Sequence, residues 1–383
     1  MSGNTWTAEV TVKGNGSLVI TVNTSKSVEL AQSAFNTLVG DTTTATGVTS
    51  TVTNPVTVDN WTKLITAAHY YDMAQKYVDA NTTDTTSKSA VEALKAAYEK
   101  VTELKITTNT STFTISTSPL QYFTKLGKLD LSNPDNNGKA QGVGITELGG
   151  LEKLTELTEL NISGNKNLAT NVGSSGNAVV DISALAGMTK LTKLNISDTN
   201  VNNIGALASL TTITDLNMSG TNITDLGALA NLTALQTLDV SGCSALSDVN
   251  SVQKLTNLKE LDISDTAVNN FGWLLSGNTM ALTNLTKLTA KNLTPVAGAI
   301  NALRIAVTQV LSGQATTLSD FGKQLSIDLT DLTATNLTSK TANADGDEAH
   351  LEQIKQAYTG HTSSTFTVPD NLTFTSATPA SEE

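Results

Sequence analysis

Few side chains in this sequence are spaced for chemistry, and metal-ligating and catalytic patterns mostly fail when sought. Asn133-Pro134-Asp135-Asn136-Asn137-Gly138 carries the alternating oxygen donors and the glycine of the first half of a calcium loop of the EF-hand kind. The second half departs from that pattern, because Gly144 stands at the twelfth position, where a bidentate Glu is needed. No metal is expected; calcium held by Asn133, Asp135 and Asn137 is the lesser alternative, resting on half a motif. His69, His350 and His361 are scattered, and no H-x-x-x-H, CxxC, GxSxG or phosphate-loop pattern occurs. Cys243 is the only cysteine and lacks the neighbouring His or Lys that would activate a thiol, so it reads as structural. Carboxylates recur only as columns along a repeat. The chain reads as non-enzymatic, with no cofactor.

The elements beneath those columns follow from one stretch. From Met188 to Leu274, Leu194, Leu216, Leu238 and Leu261 each open an L-x-L-type pair and are spaced 22, 22 and 23 residues apart. A fixed period in the low twenties with L-x-x-L-x-L is the signature of a leucine-rich repeat. Leu194 and Ile196 alternate as on a strand, whereas Ile204, Leu207 and Leu210 step by three, as on a 3₁₀ turn. One repeat cannot bury that face alone; stacked neighbours bury it, at about 1.5–3 kcal/mol per aliphatic side chain. The expected fold is α/β, a leucine-rich-repeat solenoid with a parallel sheet on the concave side, irregular 3₁₀ turns on the convex side and a cap at each end.

LTALQTLDVSG, with the NITDLGALANL stretch before it, resembles the short repeats of bacterial surface proteins of the internalin type. The resemblance covers about residues 120–293 and implies a curved solenoid, many of whose relatives bind a host or cell-surface partner on the concave side. The family commonly carries Asn at the fifth position after the first leucine of the pair, where its side chain satisfies backbone groups in the bend. Here that position is Asn165, Thr199, Thr221, Cys243 and Thr266, a ladder built mostly from Thr.

The flanks read as caps. Residues 1–58 hold a hairpin pattern around Gly14-Asn15-Gly16 and a short helix, and residues 59–105 a helical pair, with Asp59 and a Ser89/Glu92 capping box at the helix starts. Repeats fill residues 106–293. Residues 294–383 form a C-terminal cap opening on a helix capped by Thr294-Pro295, with further strands at Leu325–Leu329, where a degenerate repeat is one reading, and at Phe366–Val368.

With 383 residues, net charge −12 and a single arginine, Arg304, the chain is a poor nucleic-acid binder. No apolar run approaches the roughly 20 residues needed to span a bilayer, and no signal-peptide pattern follows Met1. An extracellular or cell-surface address is expected, with a virion surface as the alternative.

Outward strand positions give the candidate binding residues: Asp130, Asn161, Asn195, Asn217, Asp239, Glu260 and Asp262. Trp273 reads as a core filler at an irregular turn or as an exposed anchor. Longer spacings place insertions at 134–143 and 168–180, side by side on one edge, and a third at Phe271–Leu282. The function expected is a surface-exposed binding or adhesion module that recognises a protein or glycan through the concave face and these insertions. The alternative is a structural subunit of a surface layer, filament or virion that self-associates through residues 1–58 or 359–383.

Overall fold

The computed structural model describes residues 8–12, 18–22, 29–34, 58–106, 117–133, 137–168, 170–172, 178–311, 326–330, 346–358 and 366–368. Asp135 and most of the terminal stretches expected to self-associate lie outside them. The chain divides into two compact units, Met1–Asn161 and Ile162–Glu383.

In the first unit, β1 (Ala8–Val12) and β2 (Leu18–Val22) form the expected antiparallel hairpin. Two helices follow, α1 (Val58–Ala80) and α2 (Thr85–Tyr98). Helix α1 begins at Val58, so Asp59 sits inside its first turn. The cap of α2 is Asp84, whose carboxylate accepts from the Ser87 amide at 3.0 Å and from its hydroxyl at 2.8 Å. Ser89 and Glu92 therefore lie within the helix. An Asp three residues before a Ser satisfies the orphan amide earlier in the chain, and the helix starts there. Tyr71, Tyr98, Tyr122 and Phe123 pack ring against ring where the helices meet the first coil, with centroids 4.9–6.0 Å apart.

Strands β3 (Glu103–Lys105), β4 (Lys128–Asp130) and β5 (Glu159–Asn161) pair in parallel, with Leu104, Leu129 and Leu160 in register. The sheet thus starts at Leu104-x-Ile106, within the stretch read as the end of the helical pair.

The second unit repeats the same coil. It holds hairpin β6–β7 (Thr170–Val172, Ala178–Val180) and strands β8 (Lys193–Asn195), β9 (Asp215–Asn217), β10 (Thr237–Asp239) and β11 (Glu260–Asp262). After hairpin β12–β13 (Leu275–Ser276, Thr279–Met280) come β14 (Lys287–Thr289), helix α3 (Ala299–Leu311), β15 (Ser326–Asp328), helix α4 (Asp347–Ala357) and β16 (Phe366–Thr367). Leu194, Leu216, Leu238, Leu261, Leu288, Ile327 and Phe366 form one parallel register. Ser326–Asp328, within the stretch read as a further strand or degenerate repeat, therefore adds a strand to the sheet, and Phe366 adds another.

Two sets of polar contacts and a third, conformational feature shape the bends, because a coil with such short strands leaves many backbone groups to satisfy. In the ladder, Asn165 Nδ2 donates to the Ile162 carbonyl at 2.8 Å, and Thr199, Thr221 and Thr266 hydroxyls donate to Ile196, Met218 and Ile263 carbonyls at 2.7, 2.7 and 2.6 Å. Cys243 Sγ donates instead to the Met218 carbonyl of the preceding coil at 3.2 Å. Its thiol is buried and its pKa is pushed up by that burial, which fits the structural reading.

A second set opens the 3₁₀ turns: Asn203, Asp225, Asp248 and Asn270 each accept the amide two residues on, at 2.8–3.0 Å. The third is a column of left-handed backbone four residues after each first leucine, occupied by Asn133, Gly164, Asp198, Gly220, Gly242, Asp265 and Asn292. Those are the residue types that adopt positive φ at least cost.

Helix α3 begins at Ala299, beyond the expected Thr294-Pro295 start, and its cap comes from far along the chain. The fully buried Asp347 accepts from Gly298 and Ile300 amides at 2.9 and 3.1 Å. Replacing it (Asp347→Ala) leaves those donors at a helix N-terminus without their acceptor. We expect a loss of about 1–3 kcal/mol in urea unfolding; an unchanged midpoint would contradict the assignment.

Candidate functional site

The strand face is built by one device used repeatedly. In most coils the last residue of the strand is Asp or Asn, and its Oδ1 accepts the amide two residues on. Asp130 does this for Ser132, Asn195 for Ser197, Asn217 for Ser219, Asp239 for Ser241, Asp262 for Ser264 and Asp328 for Thr330, all at 2.9–3.0 Å. For Asp130, Asn217, Asp239 and Asp328 the hydroxyl of that residue also donates, at 2.5–2.8 Å. The middle column is thus first a set of brackets that ends each of these strands. Sequence reading found these residues but missed the bracket, although Asp or Asn followed two residues later by Ser was its visible signal.

Charge separates brackets that are otherwise alike. In the first unit Lys105 lies 2.8 Å from Asp130, and Lys128 bridges Glu103 and Glu159 at 3.6 and 3.4 Å. In the second unit Lys291 lies 3.0 Å from Asp328, and Lys287 lies 3.8 Å from Glu260. Among the described residues no ion pair reaches Asp215, Asp239 or Asp262. Titration follows the same division. Burial raises both the Asp130 and Asp328 carboxyls, but their brackets and lysines outweigh it and hold both below the usual range. At Asp239 burial prevails over the Ser241 bonds, and the Asp262 charge adds to it, so its pKa is raised.

An acid whose pKa is raised in the fold stabilises most below the ordinary carboxylate range and loses that contribution as pH rises through its raised value. Asp239→Asn keeps the bracket, since Asn217 forms the same contacts without a charge on the neighbouring strand. It should raise the melting temperature at neutral pH, by less than about 1 kcal/mol of stability for this half-exposed group. The gain should shrink as pH falls through the carboxylate range; a destabilised variant at neutral pH would contradict this.

The other candidates are placed as follows. Asn161 ends β5 in the first unit, and Glu260 is exposed on β11. Trp273 is 2% exposed and its indole donates to the Asn270 carbonyl at 2.9 Å. The anchor reading therefore has no ring surface behind it, and the core reading describes the residue. The hairpin β12–β13 of the third insertion docks helix α3: Gln309 accepts from the Met280 amide at 2.7 Å and donates to the Asn278 carbonyl.

The first insertion, in the first unit, is closed at its stem. Gln141 and Gly142 amides donate to the Ser132 carbonyl at 3.1 and 2.8 Å. Asn133 has φ of 42° and donates its side-chain amide to the Gly142 carbonyl at 3.1 Å. Among the described residues no cluster of acidic, His or Cys side chains is placed to hold a metal. The second insertion, in the second unit, is pinned by the following coil: Asn200 donates to the Leu168 carbonyl at 2.8 Å and Asn202 accepts from the Val180 amide at 3.1 Å. The two insertions belong to different compact units.

The family model for leucine-rich repeats in two copies matches residues 211–254, and a single-repeat model matches residues 187–208. No curated protein matches the chain. Among solved structures, internalin C2 of Listeria monocytogenes is 28% identical over 51% of this chain and 83% of its own, with a TM-score of 0.36. Internalin InlF of the same species is 18% identical over 76% and 83%, with a TM-score of 0.41. The plant peptide hormone receptor RGFR1 in complex with RGF2 is 13% identical over 64% and 34%, also at 0.41. The repeats, their register and the family models define a leucine-rich-repeat solenoid fold of the α/β class. No described helix is long and apolar enough to cross a membrane.

Proposed function

We propose that this chain is a non-enzymatic, surface-exposed binding module, and that β9–β11 present the face that holds its partner. One observation carries the reading. Brackets of one design are given a lysine at Asp130 and Asp328 but none at Asp239 and Asp262, which are half-exposed and paired in register on the neighbouring strands β10 and β11. Parallel strands lie about 4.8 Å apart, so the Asp239 and Asp262 carboxylates sit side by side without a cation, while Asp215 lies two residues back along β9, level with Thr237 and opposite Lys193. Such a face attracts a cationic segment of a protein and steers its approach. It lacks the Trp, Tyr and Arg side chains of tight protein–protein hot spots, which suits a polar contact and leaves a glycan as the lesser reading. The insertions at 134–143 and 168–180 are edge elements that add specificity.

The test is selection of displayed random peptides on the whole chain at low ionic strength. Enrichment of Lys- and Arg-containing peptides is expected. Enrichment without charge bias, or no enrichment beside binding to a glycan array, would overturn the cationic-partner reading.

A further inference from the structure

The first insertion carries a chemical feature that the binding reading does not use. Asn137 is followed by Gly138, and both are exposed. Among the described residues no other asparagine precedes a glycine; Asn161, Asn195 and Asn222 precede Ile, Asn165 precedes Lys and Asn217 precedes Met. Gly138 has φ of 80°, and no atom lies within 4 Å of the place a Cβ would take. A side chain at Gly138 would thus meet open space. The one asparagine of the ladder, Asn165, is buried, with its amide against the Ile162 carbonyl.

We infer that Asn137-Gly138 is a site of spontaneous deamidation and isomerisation in the folded protein. The Gly138 nitrogen attacks Asn137 Cγ, a new C–N bond forms, and Nδ2 leaves as ammonia with the proton from the Gly138 amide. Water then opens the cyclic imide at either carbonyl. Opening at one gives an ordinary aspartyl residue in place of Asn137. Opening at the other gives an isoaspartyl link, in which the main chain runs through the side-chain carbon. No oxidant or enzyme enters. Glycine favours the step because it lets the chain take the conformation the ring needs. Asn is among the residues depleted in heat-adapted proteins for its lability. Each event adds one negative charge to an exposed turn, and the isoaspartyl product adds a methylene to the backbone between the Ser132–Gly142 stem bonds.

Trypsin releases the segment between Lys128 and Lys139, which contains the site. We expect the purified folded chain, held at mildly alkaline pH and 37 °C, to accumulate in that peptide the mass increase of an amide-to-acid exchange. Two products should separate by chromatography, the isoaspartyl form being a substrate for a methyltransferase specific for that link. The rate should match, to within an order of magnitude, that of the free peptide of the same sequence. Gly138→Ala should slow the change, and Asn137→Gln should abolish it while leaving the melting curve unchanged. A folded chain that stays unmodified while the free peptide converts would overturn the inference, as would conversion that persists in Asn137→Gln. Both readouts are covalent, so they stand whether or not the strand face binds a cationic partner.

Discussion

Replacing Gly150 by Ala should destabilise the first unit by about 2–4 kcal/mol, although the repeat pattern recommends that exchange. GITELGGLEKLTEL aligns with NITDLGALANLTAL, so Gly150 occupies the position of Ala228. A glycine replaced by alanine at a compatible site ordinarily gains about 0.4–1 kcal/mol by restricting the unfolded chain. Here φ is 87°, and a Cβ would lie 2.9 Å from both Cα and the carbonyl oxygen of Ser118 and 3.0 Å from the Thr117 carbonyl oxygen. Those atoms are backbone and cannot swing aside. The Thr117 hydroxyl fixes them by donating to Gly149 and Glu147 carbonyls at 2.7 and 3.0 Å, while Glu152 accepts the Gly150 amide at 2.7 Å. The left-handed conformation costs a non-glycine residue about 1–2 kcal/mol, and overpacking adds about 1–3 kcal/mol. Urea unfolding followed by tyrosine fluorescence would report it. A variant as stable as the parent would show that the repeat pattern, not this contact, governs the turn.

Trp273→Ala should cost the second unit about 3–5 kcal/mol, the range for truncating a buried large aromatic side chain. The ring fills the irregular Gly272–Leu274 turn next to fully buried Phe271 and Leu274, where α3 packs on the coil. Its indole nitrogen also holds the Asn270 carbonyl, and Asn270 in turn accepts the Gly272 amide at 3.0 Å. Loss of the ring therefore leaves both a cavity and an unpaired carbonyl at one turn. Differential scanning calorimetry should show the loss; an unchanged melting temperature, with any binding lost instead, would restore the exposed-anchor reading.

The two variants mark what the sequence disclosed and what it concealed. The leucine register was visible because a stacked coil admits only a large aliphatic side chain at the same inward place in each turn. The Thr ladder was visible as a position, and its hydroxyls do the work expected of Asn. The left-handed column was present in the residue types at Asn133, Gly164, Asp198, Gly220, Gly242, Asp265 and Asn292, but leucine spacing alone does not announce backbone conformation. Gly150 and Asp347 were hidden for a different reason. Each depends on a contact with a distant segment, Gly150 with Thr117-Ser118 and Asp347 with Gly298 and Ile300, and no local pattern encodes such a meeting. The same holds for the first coil: Leu104 becomes a strand because β4 offers it a partner, not because its neighbours alternate for long. The candidate face was legible as columns of Asp and Asn; which of them would be left without a lysine depended on cross-strand neighbours.

That distinction sets the decisive measurement. Asp239→Asn and Asp262→Asn combined in one chain keep the side-chain shape and the bracket, which Asn195 and Asn217 already form in neighbouring coils. The affinity of a library-selected basic peptide would be compared between this variant and the parent, alongside their melting temperatures, at low and at raised salt. The expected result is a variant at least as stable as its parent, with binding lost or reduced many-fold and the salt dependence largely gone. Equal affinity in the two proteins would contradict a cationic partner on β9–β11 and move it off this face.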